Sequence, residues 1–190
     1  MPQDEPLSVY LTFDDGPHPE ITPYVLEQLK EYDAKASFFC IGKNVGLYPE
    51  VLERIREEGH TLGNHTQNHF NGWKTEDSVY IENIDAAAGL LPTRNFRPPY
   101  GRIRRSQARQ LLSGDRPWRI YMWDIISGDF DRELTPEACL DNVIRHLRPG
   151  SIVVFHDSEK AFPRLRHALP GTLDHCRKMG WELKALPQYL

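Results

Sequence analysis

Strand-like runs alternate with helix-like segments along the whole chain, and that order constrains the fold more than any figure of composition. LSVYLTF (7–13) alternates in polarity and stops at the turn DDGP, and ASFFCIG (36–42) is a second β-rich run. SIVVF (151–155) is a continuous apolar run, as expected of a parallel strand buried on both faces. HTLG and NFR (95–97) read as short strands, WRIYMWDI (118–125) as a strong one, and Trp181 to Leu186 as a last one. Between them, Thr22-Pro23 and Thr135-Pro136 read as helix N-caps followed by proline at the first helical position. Pro49 opens a helix that points Val51, Leu52 and Ile55 inward and ends at Gly59. Residues 75–90 read as a helix with Ile81, Ile84 and Ala88 on one face, and residues 103–112 as another. A final helix within 162–179 is expected to be disturbed at Pro170-Gly171. About seven such βα units imply a parallel sheet, either a small irregular barrel or an open doubly wound sheet. DDG, NHTQNH, RPPYG, SGDF and HDS each follow a strand, and a parallel barrel gathers those positions on one face.

The 190 residues suit one domain spanning 1–190, and 39% hydrophobic residues can build its core. A net charge of −4 disfavours a nucleic-acid binder. No apolar run approaches the roughly 18 residues of a membrane-spanning helix. The start MPQDEPLSVY carries two acids and no apolar stretch, so no secretory leader is read in it; a cytoplasmic chain or a processed envelope or secreted form is expected. Cys40, Cys139 and Cys176 are odd in number and far apart, which favours reduced thiols over disulfides or a cysteine zinc site.

The chemistry concentrates in the polar clusters. His65 and His69 stand four apart, a spacing that on a helix puts both imidazoles on one face and lets them reach one cation. Such a pair arises easily among eight histidines and gains weight only from a third ligand. Asp14 and Asp15 can supply a carboxylate, and two histidines with one carboxylate make an open site of the catalytic kind. On extended backbone the two aspartates diverge, so one can bind metal while the other accepts a proton. The prolines of RPPYG (97–101) stiffen a loop that can present Arg97 and a backbone N–H beside a carboxylate and an oxyanion. His156 ends an apolar strand and can donate a proton, with Asp129 as a partner that would raise its pKa.

TFDDGP (12–17), HTQNH (65–69), RPPYG (97–101), SGDF (127–130) and VFHD (154–157), in this order, resemble the five motifs of the polysaccharide deacetylases, carbohydrate esterase family 4 or the NodB homology domain. The resemblance implies an α/β fold, a distorted (β/α) barrel of about seven parallel strands, and a divalent metal, usually Zn2+ with Co2+ as an alternative. Carried over by position, Asp15, His65 and His69 match the metal ligands, Asp14 the catalytic base and Arg97 the arginine that holds it. His156 matches the catalytic acid and Asp129 its partner. Tyr100 matches the residue whose backbone N–H binds the oxyanion. Pro99, Trp123, Phe130 and Val154 fall where the acetyl group and sugar are expected. The fourth motif departs from the family's Asp-x-x-Asp-Trp, with Ile126 for the first Asp and Phe130 for the Trp, which bears on substrate preference more than on catalysis.

The implied activity is hydrolysis of N-acetyl groups from N-acetylglucosamine glycans such as chitin oligomers or peptidoglycan. O-acetyl xylan esterase activity, a glycan-binding module without turnover, and a metal-dependent phosphoesterase are the alternatives. The last fits the Asp and His ligands but not RPPYG or HDS. Trp73, Tyr100, Trp123 and Phe130 can stack on sugar rings, although aromatic residues after strands are more often core. Arg94, Arg97, Arg102, Arg104, Arg105, Arg109, Arg116 and Arg119 crowd one stretch against Asp115 alone. They form a solvated face or, on a sharper reading, a contact for an anionic glycan or lipid-linked phosphate.

Overall fold

A computed structural model describes residues 7–190. The reading of a missing leader rests partly on residues 1–6, which lie outside the described part. The strands are β1 (Ser8–Asp14), β2 (Ser37–Cys40), β3 (Thr61–Asn64), β4 (Asn95–Phe96), β5 (Arg119–Ile120), β6 (Ile125–Ile126), β7 (Ile152–His156) and β8 (Glu182–Leu183). They pair in parallel in the order β5-β4-β3-β2-β1-β7-β6, with β8 added to the start of β1. The seven-strand path is a curled half-barrel, because β5 and β6 do not pair with each other among the described residues. The helices are α1 (Ile21–Glu31), α2 (Gly42–Leu47), α3 (Pro49–Glu57), α4 (Asp77–Ala88), α5 (Arg105–Leu112), α6 (Pro136–Ile144) and α7 (Phe162–Met179). None is long and apolar enough to cross a membrane, among the described residues.

The central strands carry the core. Phe13 of β1 stacks between Phe38 of β2 and Phe155 of β7, with centroid distances of 5.0 and 6.0 Å. Val25, Leu26 and Leu29 of α1 and Leu165, Leu169 and Leu173 of α7 are buried in the same cluster. A second cluster joins Tyr80 and Ile84 of α4 to Phe96, Leu111 and Trp118. The inward face of α4 is therefore centred on Tyr80, Ile84 and Ala87, with Ile81 and Ala88 on its flank.

Three local expectations are corrected. The strand expected over 118–125 is broken into β5 and β6, which sit at opposite edges of the sheet. The carbonyls of Tyr121 and Met122 turn away from the ladder to accept from Arg97, so a buried cation takes the bonds a continuous strand would use. Thr22 lies inside α1 rather than at its cap: its hydroxyl accepts from the His18 N–H and donates to Asp157. The last helix runs unbroken through Pro170. Proline cannot donate to the carbonyl four residues back, and the Tyr24 hydroxyl donates to that carbonyl, of Arg166, at 3.2 Å. Gly171 lets α6 approach α7, since a Cβ there would lie 2.6 Å from Leu140. Thr135 caps α6 as expected, accepting from Ala138 N–H at 3.2 Å.

Candidate active site

The carboxyl ends of β1, β3, β4 and β7 meet at one cavity of about 550 Å³. Asp14 is the last residue of β1, and Asp15 follows at φ 83° rather than in extended backbone. Both carboxylates therefore face the same cavity, where an extended chain would send them apart. The turn is held from two sides. Asn44 donates to the Asp15 carbonyl at 2.8 Å, and Gly16 N–H donates to Asp157 Oδ1 at 2.9 Å. A Cβ at Gly16 would lie 2.1 Å from the Asp157 carboxylate, so only glycine fits. Burial pushes the Asp157 carboxyl up to about 7, against the lowering effect of its hydrogen bond from Thr22.

His65 and His69 do not share a helix face. They lie in a loop after β3 in which Thr66 (φ 63°) and His69 (φ 56°) are left-handed. Thr66 N–H donates to Asn64 Oδ1 at 2.8 Å, and the Thr66 hydroxyl accepts from Phe70 N–H at 3.1 Å, so the loop is rigid without helical bonds. His65 donates from Nδ1 to the Arg97 carbonyl at 2.7 Å, which leaves the Nε2 lone pair toward the cavity. Burial holds the His65 pKa down at about 4, so the ring is neutral at pH 7. His69 places Nδ1 3.1 Å from the Tyr100 hydroxyl and Nε2 3.2 Å from Asp15 Oδ1. His65 Nε2 is 3.8 Å from the same oxygen.

Asp15, His65 and His69 can hold a metal ion. Their ligand atoms all lie within 4.8 Å of one another. Asp15 Oδ1 is buried and, despite the nearby imidazoles, has no well-formed hydrogen bond. A tetrahedral ion with bonds of about 2.0–2.1 Å separates its ligands by about 3.3 Å, close to the 3.2 and 3.8 Å from Asp15 Oδ1 to the two imidazoles. One carboxylate oxygen and two imidazoles also suit zinc-type chemistry.

Behind the cavity, Arg97 is fully buried and donates to Asp14 Oδ1 at 2.8 Å and to the Thr12 hydroxyl at 2.6 Å. Its remaining donors meet the carbonyls of Tyr121 (3.3 Å) and Met122 (3.1 Å), and its plane lies 4.1 Å from the Phe39 ring centroid. Phe39 in turn needs Gly63 beside it on β3, where a Cβ would lie 2.3 Å from the ring. The second Asp14 oxygen lies 4.0 Å from His65 Nε2. His156, at the end of β7, bonds through Nδ1 to Asp129 Oδ1 at 2.7 Å, and its N–H donates to Asp129 Oδ2 at 2.7 Å. Burial opposes charge on His156, but the bond and charge of Asp129, aided by Asp15 and Asp14, push its pKa up to about 9.

The cavity thus collects Asp14, Asp15, His65, His69 and His156, with Tyr100, Trp123, Phe130 and Val154 as walls. Phe130 meets the His156 ring edge-on at 5.3 Å. Ile126 adds an apolar wall where an acid would stand in the related motif. Arg97 and Asp129 stand one layer behind. Pro99 corrects the expectation of a substrate contact: it is buried at the start of the 3-10 turn Pro99–Gly101 and does not line the cavity. The turn carries Tyr100 at φ 60° instead. Sequence reasoning did not single out Thr12, Ser158 or Lys160. Arg102 was visible only as one of the crowded arginines. Asp124 lies outside this cavity and accepts from Ile152 N–H at 2.9 Å.

Known proteins resemble this chain in sequence and in fold. The sequence model of the family described as polysaccharide deacetylase matches residues 2–113. A peptidoglycan-N-acetylglucosamine deacetylase of Bacillus cereus is 34% identical over 157 residues, 79% of this chain and 56% of the relative. The chain therefore spans little more than half of that relative's length. A chitooligosaccharide deacetylase of Azorhizobium caulinodans is 35% identical over 162 residues, 79% of this chain and 73% of the relative. Among solved structures, a peptidoglycan N-acetylglucosamine deacetylase bound to an N-hydroxybenzamide superposes with a TM-score of 0.85 at 30% identity, covering 96% of this chain and 87% of the other.

Proposed function

The chain belongs to the polysaccharide deacetylase family, and from that premise we propose that it is a metal-dependent hydrolase that removes N-acetyl groups from N-acetylglucosamine-containing glycans and releases acetate. The observation that carries the proposal is the placing, around one cavity, of three metal-type ligands, an arginine-held carboxylate and an aspartate-held histidine. An amide resists hydrolysis because its carbonyl is a weak electrophile and its nitrogen leaves badly, and these groups answer both problems. Asp15, His65 and His69 would hold the ion. When bound, a zinc or cobalt ion supplies a Lewis acid that acidifies water and polarises the acetyl carbonyl. Asp14 takes the proton of the attacking water, with one oxygen fixed by Arg97 and the other turned toward the ligand cluster. The Tyr100 N–H donates to the acetyl oxygen as charge develops on it, a contact of the kind worth about 2.7–4 kcal/mol. His156 gives its proton to the departing amine, and Asp129 keeps the ring oriented and charged. Val154, Phe130 and Ile126 form the apolar side of the cavity that receives the acetyl methyl.

The direct test is acetate release from chitin oligomers by chelator-stripped protein, with and without zinc. Zinc-dependent release is expected. Release that ignores both chelator and zinc would overturn the metal assignment, and release only from acetylated xylan would overturn the amide.

The pH profile tests His156. The proton donor must be charged, so kcat/KM should fall as pH rises through the pKa of His156. Asp129 raises that pKa, so Asp129→Asn should move the alkaline limb to lower pH and reduce activity at neutrality. A limb that stays in place would remove His156 from the role of donor.

A further inference from the structure

The arginine crowd resolves into separate duties, and one member stands at the cavity. Arg97 is internal, and Arg104 pairs with Asp77 at 3.1 Å. Arg94 and Arg119 lie over the rings of Trp118 and Tyr189 at 5.0 and 4.8 Å. Arg105, Arg109 and Arg116 are exposed. Arg102 follows the left-handed Tyr100 and lines both the catalytic cavity and an adjoining one of about 520 Å³. Tyr100 and Arg102 border both spaces, so the two adjoin across these side chains.

The adjoining part is built around Trp73, which is 56% exposed, a large apolar face left to solvent beside the site. Its position is fixed. Trp73 Nε1 donates to the Ile103 carbonyl at 3.2 Å, its N–H donates to Asn71 Oδ1 at 3.0 Å, and its carbonyl accepts from Arg104 at 3.0 Å. The Arg102 guanidinium lies 4.3 Å from the Trp73 ring centroid. Lys74 lines the same space, and Lys160 lines the catalytic cavity. None of Arg102, Lys74 and Lys160 is ion-paired among the described residues; of the two acids that follow Lys74, Asp77 is held by Arg104 and Glu76 is exposed. In a chain of net charge −4, the Trp73 part of the cleft, lined by Lys74 and Arg102 and by no acid, therefore carries a local excess of positive charge.

We propose that Trp73, Lys74 and Arg102 form a binding site for a sugar neighbouring the one that is deacetylated, and that it takes a glycan bearing an oxyanion, a carboxylate or a phosphate, on that sugar. The Trp73 face accepts the C–H face of a pyranose ring. Arg102, supported from one side by Trp73, offers its planar fork to two oxygens of the anion, and Lys74 adds a point charge. A neutral glycan fills the same cleft but leaves both cations with water. The placing of the neighbouring sugar rests on the deacetylase reading; the anion preference itself does not.

Three tetrasaccharides of equal length provide the test: unsubstituted β-1,4-linked N-acetylglucosamine, the same chain with lactyl ethers on alternate sugars, and the same chain with phosphates there. Binding to the zinc-loaded protein is measured by calorimetry at about 0.05 and 0.3 M salt, and acetate release is followed in parallel. An oxyanion-bearing glycan should bind about fivefold more tightly than the neutral one at low salt, the scale of partly exposed charge contacts that salt screens. The preference should fall below about twofold at high salt, and also in the double variant Arg102→Gln, Lys74→Gln. Whichever of the two anionic glycans shows the preference identifies the anion. Equal affinity for all three glycans, or a preference that survives the double variant, overturns the site. A preference without acetate release would leave the site standing and overturn the deacetylase reading, whereas acetate release without a preference would do the reverse.

Discussion

Asp14→Asn should leave zinc stoichiometry unchanged and lower kcat by about 10³-fold, within the roughly 10²–10⁴ that a positioned general base contributes. The substitution keeps the shape of the side chain, and the amide oxygen can still accept from Arg97, but it cannot take a proton. Retained metal is expected because the ligand set is Asp15, His65 and His69, with Asp14 outside it. The variant also strands a buried guanidinium without its counter-charge, which costs on the order of 3 kcal/mol. In a chain of this size that lowers Tm by about 6–12 °C. Activity is therefore compared at 25 °C, with circular dichroism to show that the fold persists. A kcat within tenfold of the parent would remove Asp14 from the role of base. Loss of zinc with normal folding would instead move it into the ligand set.

The sequence exposed some of this and hid the rest for identifiable reasons. The parallel α/β order was legible because β-rich runs and helical stripes alternate from β1 to α7, and burial dictates those patterns locally. Residue types at the site were legible for the same reason: Asp14, His65, Arg97 and His156 each sit just where a strand-like run stops. Their geometry was not. His65 and His69 suggest a helix by spacing, but left-handed Thr66 and His69 bring the rings together, and non-glycine residues do not advertise positive φ. The same holds for Asp15, whose φ of 83° makes two adjacent carboxylates converge. The helix α2 was missed because two glycines in six residues leave no stripe to read. WRIYMWDI has strong β propensity throughout, and only a distant residue, Arg97, explains why its middle leaves the sheet. Pro170 reads as a break because the donor that repairs it, Tyr24, is on another helix. In these last two cases what was lost was a long-range partner.

Arg97→Met should destabilise the protein by about 3–5 kcal/mol and abolish detectable turnover. Arg97 is the side chain on which the open edge of the half-barrel and the Asp14 carboxylate both depend. Its guanidinium donates to four oxygens, those of Asp14, Thr12, Tyr121 and Met122. Methionine fills much of the volume over Phe39 but supplies no donor. Asp14, 3% exposed, is then a buried carboxylate without a counter-ion, and removing one partner of such a pair carries a cost of about that size. Folded domains hold only about 5–15 kcal/mol in reserve, so the loss is a large share, and Tm should fall by about 6–20 °C. Arg97→Lys separates charge from geometry. Lysine restores one positive charge but cannot meet four acceptors in a plane. It should recover part of the stability and little of the turnover. Chemical denaturation and kcat–pH profiles of both variants decide the matter. If Arg97→Met unfolds within 1 kcal/mol of the parent, the two sheet edges are held by something other than this guanidinium. If Arg97→Lys restores full turnover, charge alone suffices and the fork geometry has no part in positioning Asp14.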